Sequence, residues 1–450
     1  MPKHQRIAIV GSGLVGSLLA IYLRKEGHTV HVYDRSPDIR NIKLSGRSIN
    51  LAMSDRGWKA LELAGVYDEV RKIAIPMDKR AVHIGDDVNY QYYGVHGESI
   101  YSLSRGVLNR KMIDLAEAAG TQFFFEHKVW DVTLADATLH IGETERGEWT
   151  DHPYDLVFGA DGAFSRVRHR MQRQSMFDYS QEFLNTGYKE LNIPANPDGT
   201  HKLDKNSLHI WPRGAYMLIA LPNLDGSFTC TLFMPFEGED SFASLTDRAT
   251  VEHFFEKNLP DTIDVIPMLA EDFFKNPTST LVTMKCYPWT YKDKVALIGD
   301  ACHAIVPFYG HGMNAGFEDI TVLYRLMLQH GDDWQQIFSE YEKNRKPDAD
   351  AIAELSYRNF TEMSSKTADE QFVLQKKIEK RFSEKYPDKW LPLYSRVTFS
   401  HRPYSEALAI GDRQKAIMDQ IMKLPGIKDN WDDDSVEREM LRLLQEDSGY

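Results

Sequence analysis

The sequence predicts an α/β chain in three parts: a parallel-sheet nucleotide domain, a separate antiparallel sheet and a helical C-terminal region. Three observations carry this. Residues 1–34 run strand, glycine turn, helix, strand and acid; residues 180–235 hold several alternating β-type runs; and helical periodicity dominates from Asp348 onward.

The opening unit is the most specific. Arg6–Val10 is a β-rich run that meets Gly11-Ser12-Gly13-Leu14-Val15-Gly16, and an apolar-periodic stretch continues to about Glu26. Thr29–Tyr33 is again β-rich and ends on Asp34. This is a Rossmann-like GxGxxG layout. Gly11 permits the tight turn, Gly13 lets backbone approach a pyrophosphate, and Gly16 lets the helix pack on the sheet. Leu14 and Val15 open that helix, whose free N–H groups point at the phosphates. Asp34 offers acceptor oxygens to an adenosine ribose. Its charge argues against a 2′-phosphate, while Arg35 beside it can accommodate one. The motif alone does not choose between NAD and FAD.

The chain has 450 residues, 42% hydrophobic and 26% charged, with a net charge of −13. That is enough for several domains with a substantial core. No extended basic tract supports nucleic-acid binding by counterion release. Cys230, Cys286 and Cys302 are too few and too scattered for a disulfide framework and fit a reducing compartment. Met1–Arg6 leads straight into a core strand, with no signal peptide expected, and no run of 18 apolar residues occurs. The acidic stretch Asp432–Tyr450 reads as a peripheral helix or frayed tail.

Ile39–Ser54 reads as a loop running into a helix that begins at Ser54-Asp55-Arg56 and carries Trp58, Leu61, Leu63 and Val66. Ala81–Ile84 and Asn89–Gly94 form a hairpin with Asp86-Asp87 at its turn; Val107–Ala119 is a helix. Thr121–Phe125, Lys128–Leu134, Thr138–Ile141 and Asp155–Phe158 are strands. In the second sheet, Ser207–Trp211, Tyr216–Leu221 and Phe228–Phe233 are strands, with a helical insertion over Asp247–Phe274. Lys294–Ile298 then returns the chain to the first domain. The expected boundaries are 1–75, 101–173 and 285–345 for the nucleotide domain, 76–100 and 174–284 for the β-sheet domain, and 346–450 for the helical part.

Two further strand ends carry Gly and Asp: Gly159-Ala160-Asp161-Gly162, and Gly299-Asp300 followed by Ala301 to Asn314. Ligands gather at the carboxyl ends of strands in open α/β sheets, so these segments are placed to meet the first glycine loop. With Gly11–Gly16, they resemble in type and order the motifs of the class A flavoprotein aromatic hydroxylases, over about residues 1–345. The resemblance implies FAD held by Gly11, Gly13, Leu14, Val15 and Gly16, with Asp34, Arg35 and Arg105 toward the adenosine and pyrophosphate. It implies Asp161 in a second fingerprint shared with NADPH, Asp300 at the ribityl and pyrophosphate, and Gly312, Met313 and Asn314 near the isoalloxazine.

Gly46-Arg47-Ser48-Ile49-Asn50-Leu51-Ala52, Pro307-Phe308-Tyr309-Gly310, Tyr357 to Met363, and Pro392-Leu393-Tyr394 with Val397-Thr398-Phe399 resemble the members of that family that act on L-kynurenine. This closer likeness spans nearly the whole chain. It implies Arg80 on the substrate carboxylate, Tyr93, Asn359 and Tyr394 hydrogen-bonding to substrate, and Pro307, Phe308 and Tyr309 lining the ring end. The implied reaction is NADPH- and O2-dependent 3-hydroxylation through a flavin C4a-hydroperoxide, with no acid or base residue from the protein. Two departures stand out. His311 occupies a position where this group usually has glutamine, and the membrane anchor of eukaryotic members is not expected, which implies a soluble, bacterial-type cytoplasmic protein. Whether it pairs as a homodimer is left open by the sequence.

Taken singly, these residues have plainer roles. Arg80 and Asn359 read as solvated side chains, Tyr93 as one of the packing cluster Tyr90, Tyr92 and Tyr93, and Tyr394 as cover for a core edge. No His/Cys/Asp cluster has ligand spacing, so no metal is expected. Three alternatives remain: a flavin hydroxylase for another aromatic acid or anthranilate-like ring, an oxygen-independent FAD reductase, and a non-enzymatic FAD module. A reductase normally carries a second dinucleotide motif; an inert module would hold flavin that NADPH never reduces.

Overall fold

A computed structural model describes residues 4–42, 49–85, 87–94, 97–142, 148–362 and 370–447. Its first sheet has six strands in the order Thr290–Tyr291, Val295–Leu297, Leu156–Gly159, Arg6–Val10, Thr29–Tyr33 and Gln122–Phe124. All neighbours are parallel except the two-residue edge strand. The register sets Val10 beside both Tyr33 and Gly159, and Gly159 beside Leu297. Gly11, Asp34, Ala160 and Ile298 therefore leave the sheet at one common edge. Helices Leu14–Lys25 and Gly312–His330 cover it, burying Leu18, Leu19, Phe317 and Ile320.

The second sheet has seven strands: Ser279–Tyr287, Asp178–Ile193, Phe228–Pro235, Tyr216–Pro222, Ser207–Arg213, Lys79–Ile84 and Asp87–Tyr92. It is mixed, because Ser207–Arg213 pairs in parallel with Lys79–Ile84 while its other pairings are antiparallel. The hairpin Lys79–Ile84/Asp87–Tyr92 is separated in sequence from the other strands, so alternation alone could not give its direction. Successive side chains face opposite ways. Trp211, Leu218 and Leu232 pack under the helices Arg248–Asn258 and Leu269–Lys275, whereas Ile210, Met217 and Phe233 meet Val306 and Phe308. The expected helical insertion is thus two helices over one face, and the other face turns toward the third glycine segment.

Three elements differ from expectation. Leu51–Met53, inside the expected loop, is a strand on Ile100–Leu103, and Thr150–Pro153 adds a strand to Thr138–Ile141. Both are too short to show a period. Asp178–Ile193 is a 16-residue strand whose early half is exposed, so it lacks clean alternation. The position 345/346 lies inside one helix, Trp334–Thr361, which continues through Pro347. Proline removes a helix donor, but Arg345 and Asp348 on either side are held by ion pairs and by Ser405. The C-terminal helices Glu370–Lys385, Tyr404–Ile421 and Asp434–Asp447 bury Phe382, Met418, Ile421 and Met440 around Trp390. The terminal acidic run is therefore a packed helix as far as it is described. Gly46, Arg47, Ser48, Asp86 and Met363 lie outside the described residues. No described helix is long and apolar enough to cross a membrane.

Candidate active site

The glycine loops interlock at the common sheet edge. Gly11 has φ +108°, and a Cβ there would lie 2.4 Å from the Ala160 carbonyl oxygen. A Cβ on Gly16 would lie 2.1 Å from the Gly11 oxygen, and one on Gly316 would lie 2.7 Å from Val15. Gly299, φ +63°, also faces Val15, at 3.1 Å. Gly11 and Gly16 make room for backbone, at Ala160 and at Gly11, while Gly299 and Gly316 make room for the Val15 side chain. Gly13 has nothing within 4 Å of a would-be Cβ, and Gly312 only Ile305 at 3.8 Å. Among the described residues this leaves a cradle of open space beside the N-termini of the helices Leu14–Lys25 and Gly312–His330, whose free N–H groups have the chemistry to take a pyrophosphate.

Around this cradle Asp34 accepts from Ser12 N and Oγ at 2.8 and 2.7 Å and from Ser36 N at 2.8 Å. Asp161 uses Oδ2 on Arg166 N at 2.7 Å, while its buried Oδ1 has no partner. Burial holds its carboxyl above the usual range, opposed by those hydrogen bonds. Arg105 and Asp300 are exposed at the starts of helices Arg105–Ala118 and Asp300–His303. Arg35 is exposed with no ion pair among the described residues. Asn314 is spoken for by protein: Oδ1 accepts from Ser54 N, and Nδ2 donates to the Ala52 and Gly310 carbonyls at 2.8 and 3.0 Å. Its side chain shapes the loop, leaving only its backbone to offer a ligand.

The substrate side begins where Pro307–Tyr309 follows the third segment. Phe308 packs on Phe360 and Phe233, ring centroids 4.3 and 5.0 Å away, and Asn359 Nδ2 donates to the Phe308 carbonyl at 2.7 Å. Tyr309 stacks on Tyr394 at 5.5 Å, and Tyr394 stacks on Tyr93 at 5.5 Å. The Arg80 guanidinium lies 4.2 Å from the Tyr394 ring centre and 5.4 Å from that of Tyr93. Among the described residues, Arg80 Nε and Tyr93 Oη are buried with no hydrogen-bond partner, and Arg80 has no ion pair. Burial, then the neighbouring Tyr394, pushes the Tyr93 phenol well above its usual range, against the pull of Arg80. It stays a neutral donor. Two such donors against an aromatic wall have the chemistry to take a carboxylate on an aromatic molecule. Tyr90 and Tyr92 are exposed, so only Tyr93 of that cluster turns inward.

Sequence reasoning missed the polar network behind this wall. Arg56 pairs with Glu318; Arg345 pairs with Glu318, Asp319 and Asp348. Asp319 also accepts from His303 and from Gly299 N at 3.1 Å. Burial alone would raise Asp319, but His303 and Arg345 outweigh it and hold the carboxyl below its usual range. Cys302, His303 and Asp319 lie within metal-ligand reach of one another. The donors already filling Asp319, Arg345 among them, account for that cluster without an ion. Glu362, also missed, raises the Tyr309 phenol after burial and Tyr394. Apart from the Arg345–Asp348 pair on one helix, these contacts join residues well separated in sequence, and no local pattern announces them.

A family profile described as an FAD binding domain matches residues 4–356. The chain is 76% identical to kynurenine 3-monooxygenase of Flavobacterium psychrophilum over 444 residues, 99% of each chain. The chain belongs to the kynurenine 3-monooxygenase family. The likeness persists at distance: the Myxococcus xanthus enzyme of the same name is 45% identical, over 95% of this chain and 93% of that one. Among solved structures, the tetrameric form of 2-methyl-3-hydroxypyridine-5-carboxylic acid oxygenase superposes with a TM-score of 0.67 at 19% identity, covering 83% of this chain and 96% of that one. That likeness concerns the fold. In kynurenine 3-monooxygenase terms, the FAD profile ends at residue 356, just before Asn359 and Phe360, so it stops short of part of the aromatic wall.

Proposed function

We propose that this protein catalyses NADPH- and O2-dependent 3-hydroxylation of L-kynurenine, yielding 3-hydroxy-L-kynurenine, NADP+ and water. Membership of the family supports the reaction; the unpaired Arg80 beside Tyr93 is the single observation that carries the substrate class. The Gly11–Gly16 loop, with the backbone of Leu14 and Val15, would hold the FAD pyrophosphate, Asp34 the ribose and Arg105 the adenosine side. Asp161, Asp300 and the backbone of Gly312, Met313 and Asn314 would line the rest. FAD, when bound, would carry electrons from NADPH to O2, so that one oxygen atom of O2 reaches the ring and the other leaves as water.

The chain's own tasks follow from its residues. Arg80 forks onto the carboxylate and Tyr93 donates to it, fixing the amino-acid end. Tyr394 and Asn359 flank the substrate, while Pro307, Phe308 and Tyr309 hold its ring beside the flavin. The ring amine of kynurenine activates the carbon ortho to it, so no side chain need remove a proton from the substrate. Orientation and exclusion of water are what the aromatic wall supplies. The proposed domain division keeps the flavin cradle on the first sheet and Arg80 on the second, with the C-terminal helices bringing Tyr394. All these residues come from one chain, so the reading does not call on a homodimer. Three buried free cysteines support a cytoplasmic setting.

The test is anaerobic mixing of the flavin-loaded protein with NADPH, with and without L-kynurenine, followed by air and product analysis. Flavin bleaching followed by 3-hydroxykynurenine is expected. Bleaching with only H2O2 formed would reject kynurenine and redirect the search to other aromatic acids. No bleaching would reject the monooxygenase reading.

A further inference from the structure

His311 is buried between the loop that forms the ring wall and the C-terminal helices. Its Nδ1 lies 2.9 Å from Tyr404 Oη and its Nε2 3.4 Å from Thr398 Oγ1. Tyr309 meets its ring edge-on at 5.6 Å. Tyr404 is itself clamped, with the Arg56 guanidinium 3.9 Å from its ring centre. Arg56 in turn donates to the Val397 carbonyl at 3.2 Å and to that of Arg402, and pairs with Glu318. A row of rings thus runs Tyr93, Tyr394, Tyr309, His311, Tyr404. Arg80 stands near one end and Arg56 at the other.

Both ring nitrogens of His311 face hydroxyls of the C-terminal part, so neither is left for a substrate. We propose that His311 is a positioning residue that pins the Pro307–Gly310 loop to the C-terminal segment through Tyr404 and Thr398, with Arg56 as the anchor. The pin keeps water from the space between loop and segment. This rests on the hydroxylase reading above. When the pin is lost, NADPH, O2 and a proton leave as NADP+ and H2O2, and the aromatic substrate stays unoxidised. Burial, then the charge of Arg56, drives the His311 ring down to about 3, so it stays neutral and can accept from one hydroxyl while donating to the other.

The experiment compares Tyr404→Phe, which keeps the ring under Arg56 and removes only the hydroxyl, with His311→Leu and His311→Gln. The ratio of H2O2 to 3-hydroxykynurenine at saturating kynurenine is expected to rise about fivefold in Y404F and H311L, the shift that loss of one buried hydrogen bond brings. H311Q, which keeps a donor and an acceptor, should recover part of it. The KM for kynurenine should stay within about twofold, because uniform substrate binding is untouched. Iodide quenching of the bound flavin's fluorescence, measured without substrate, should strengthen in Y404F and H311L. Unchanged quenching in both would overturn the proposal, as would a KM raised about tenfold in H311L with a wild-type product ratio, the mark of direct substrate contact. If the wild-type protein forms no 3-hydroxykynurenine, the substrate reading falls, and the quenching comparison still decides the role of His311.

Discussion

Arg80→Ala separates substrate binding from stability, because the guanidinium has no carboxylate partner among the described residues to lose. In the substrate-free protein the substitution removes contacts to two tyrosine rings, each worth about 0.5–2 kcal/mol. It also removes a buried Nε with no hydrogen bond, which costs about 1–3 kcal/mol to keep. These nearly cancel, so the melting temperature without kynurenine should move by only a few degrees. With kynurenine the balance tips. Truncating one member of a desolvated, hydrogen-bonded charge pair costs about 2–5 kcal/mol. A central value of about 3 kcal/mol weakens binding roughly 150-fold. Arg80→Lys keeps a point charge without the fork and should fall between. Kynurenine titration of the flavin absorbance gives Kd, and melts with and without substrate give stability. A Kd within about twofold of wild type would refute the carboxylate assignment; a large loss of stability in the free protein would recast Arg80 as structural.

Gly11→Ala should abolish FAD retention, since it strains φ +108° and drives a Cβ to 2.4 Å from the Ala160 oxygen; a wild-type ratio of flavin to protein absorbance would show that the loop contact tolerates a side chain. His83 is buried against His209, Nε2 to Nδ1 3.0 Å, and desolvation, then His209, lowers its ring from 6.5 to about 4. The unfolded chain therefore takes up a proton that the folded one refuses, and stability should fall by about 3 kcal/mol as pH drops from 6.5 toward 4. His83→Gln should flatten that slope in urea titrations, and an unaltered slope would assign it elsewhere. Asp319→Asn should cost about 3–5 kcal/mol by leaving Arg345 under-compensated. Because the folded carboxyl sits below its unfolded value, the wild-type contribution is present above about pH 4 and lost as pH falls through the folded pKa. A wild-type melting temperature for the variant at neutral pH would contradict this.

The glycine turn was legible because backbone chemistry there is local: Gly11 takes the positive φ, +108°, of a tight turn, while its approach to Ala160 joins a distant segment that the spacing did not announce. The inward turn of Tyr93 was less so, since three tyrosines in four positions do not announce which one faces the core. The mixed character of the second sheet was hidden, because the parallel pairing joins Lys79–Ile84 to a strand more than a hundred residues away. The same distance conceals the Arg56 network. Ser54-Asp55-Arg56 reads only as a helix start, yet the Arg56 side chain is 0% exposed and its carboxylate, Glu318, belongs to the helix Gly312–His330. Asn314 shows a subtler limit: proximity to the cradle was readable, but its amide is consumed by Ser54, Ala52 and Gly310.

Burial alone does not distinguish a working arginine from a structural one in this molecule. Arg56 and Arg80 both lie over a tyrosine ring, at 3.9 and 4.2 Å. Arg56 is matched by Glu318 and two carbonyls, and Arg345 by three carboxylates. Arg80 pairs with no carboxylate among the described residues; its neighbours are the rings and hydroxyls of Tyr93 and Tyr394. An enclosed cation without a counter-charge is expensive to keep, and Arg80 differs from Arg56 and Arg345 in having none among the described residues. On the proposed reading the anion it takes carries an aromatic ring, because the wall running from Tyr93 through Tyr394 and Tyr309 leads from Arg80 to the loop after the third glycine segment.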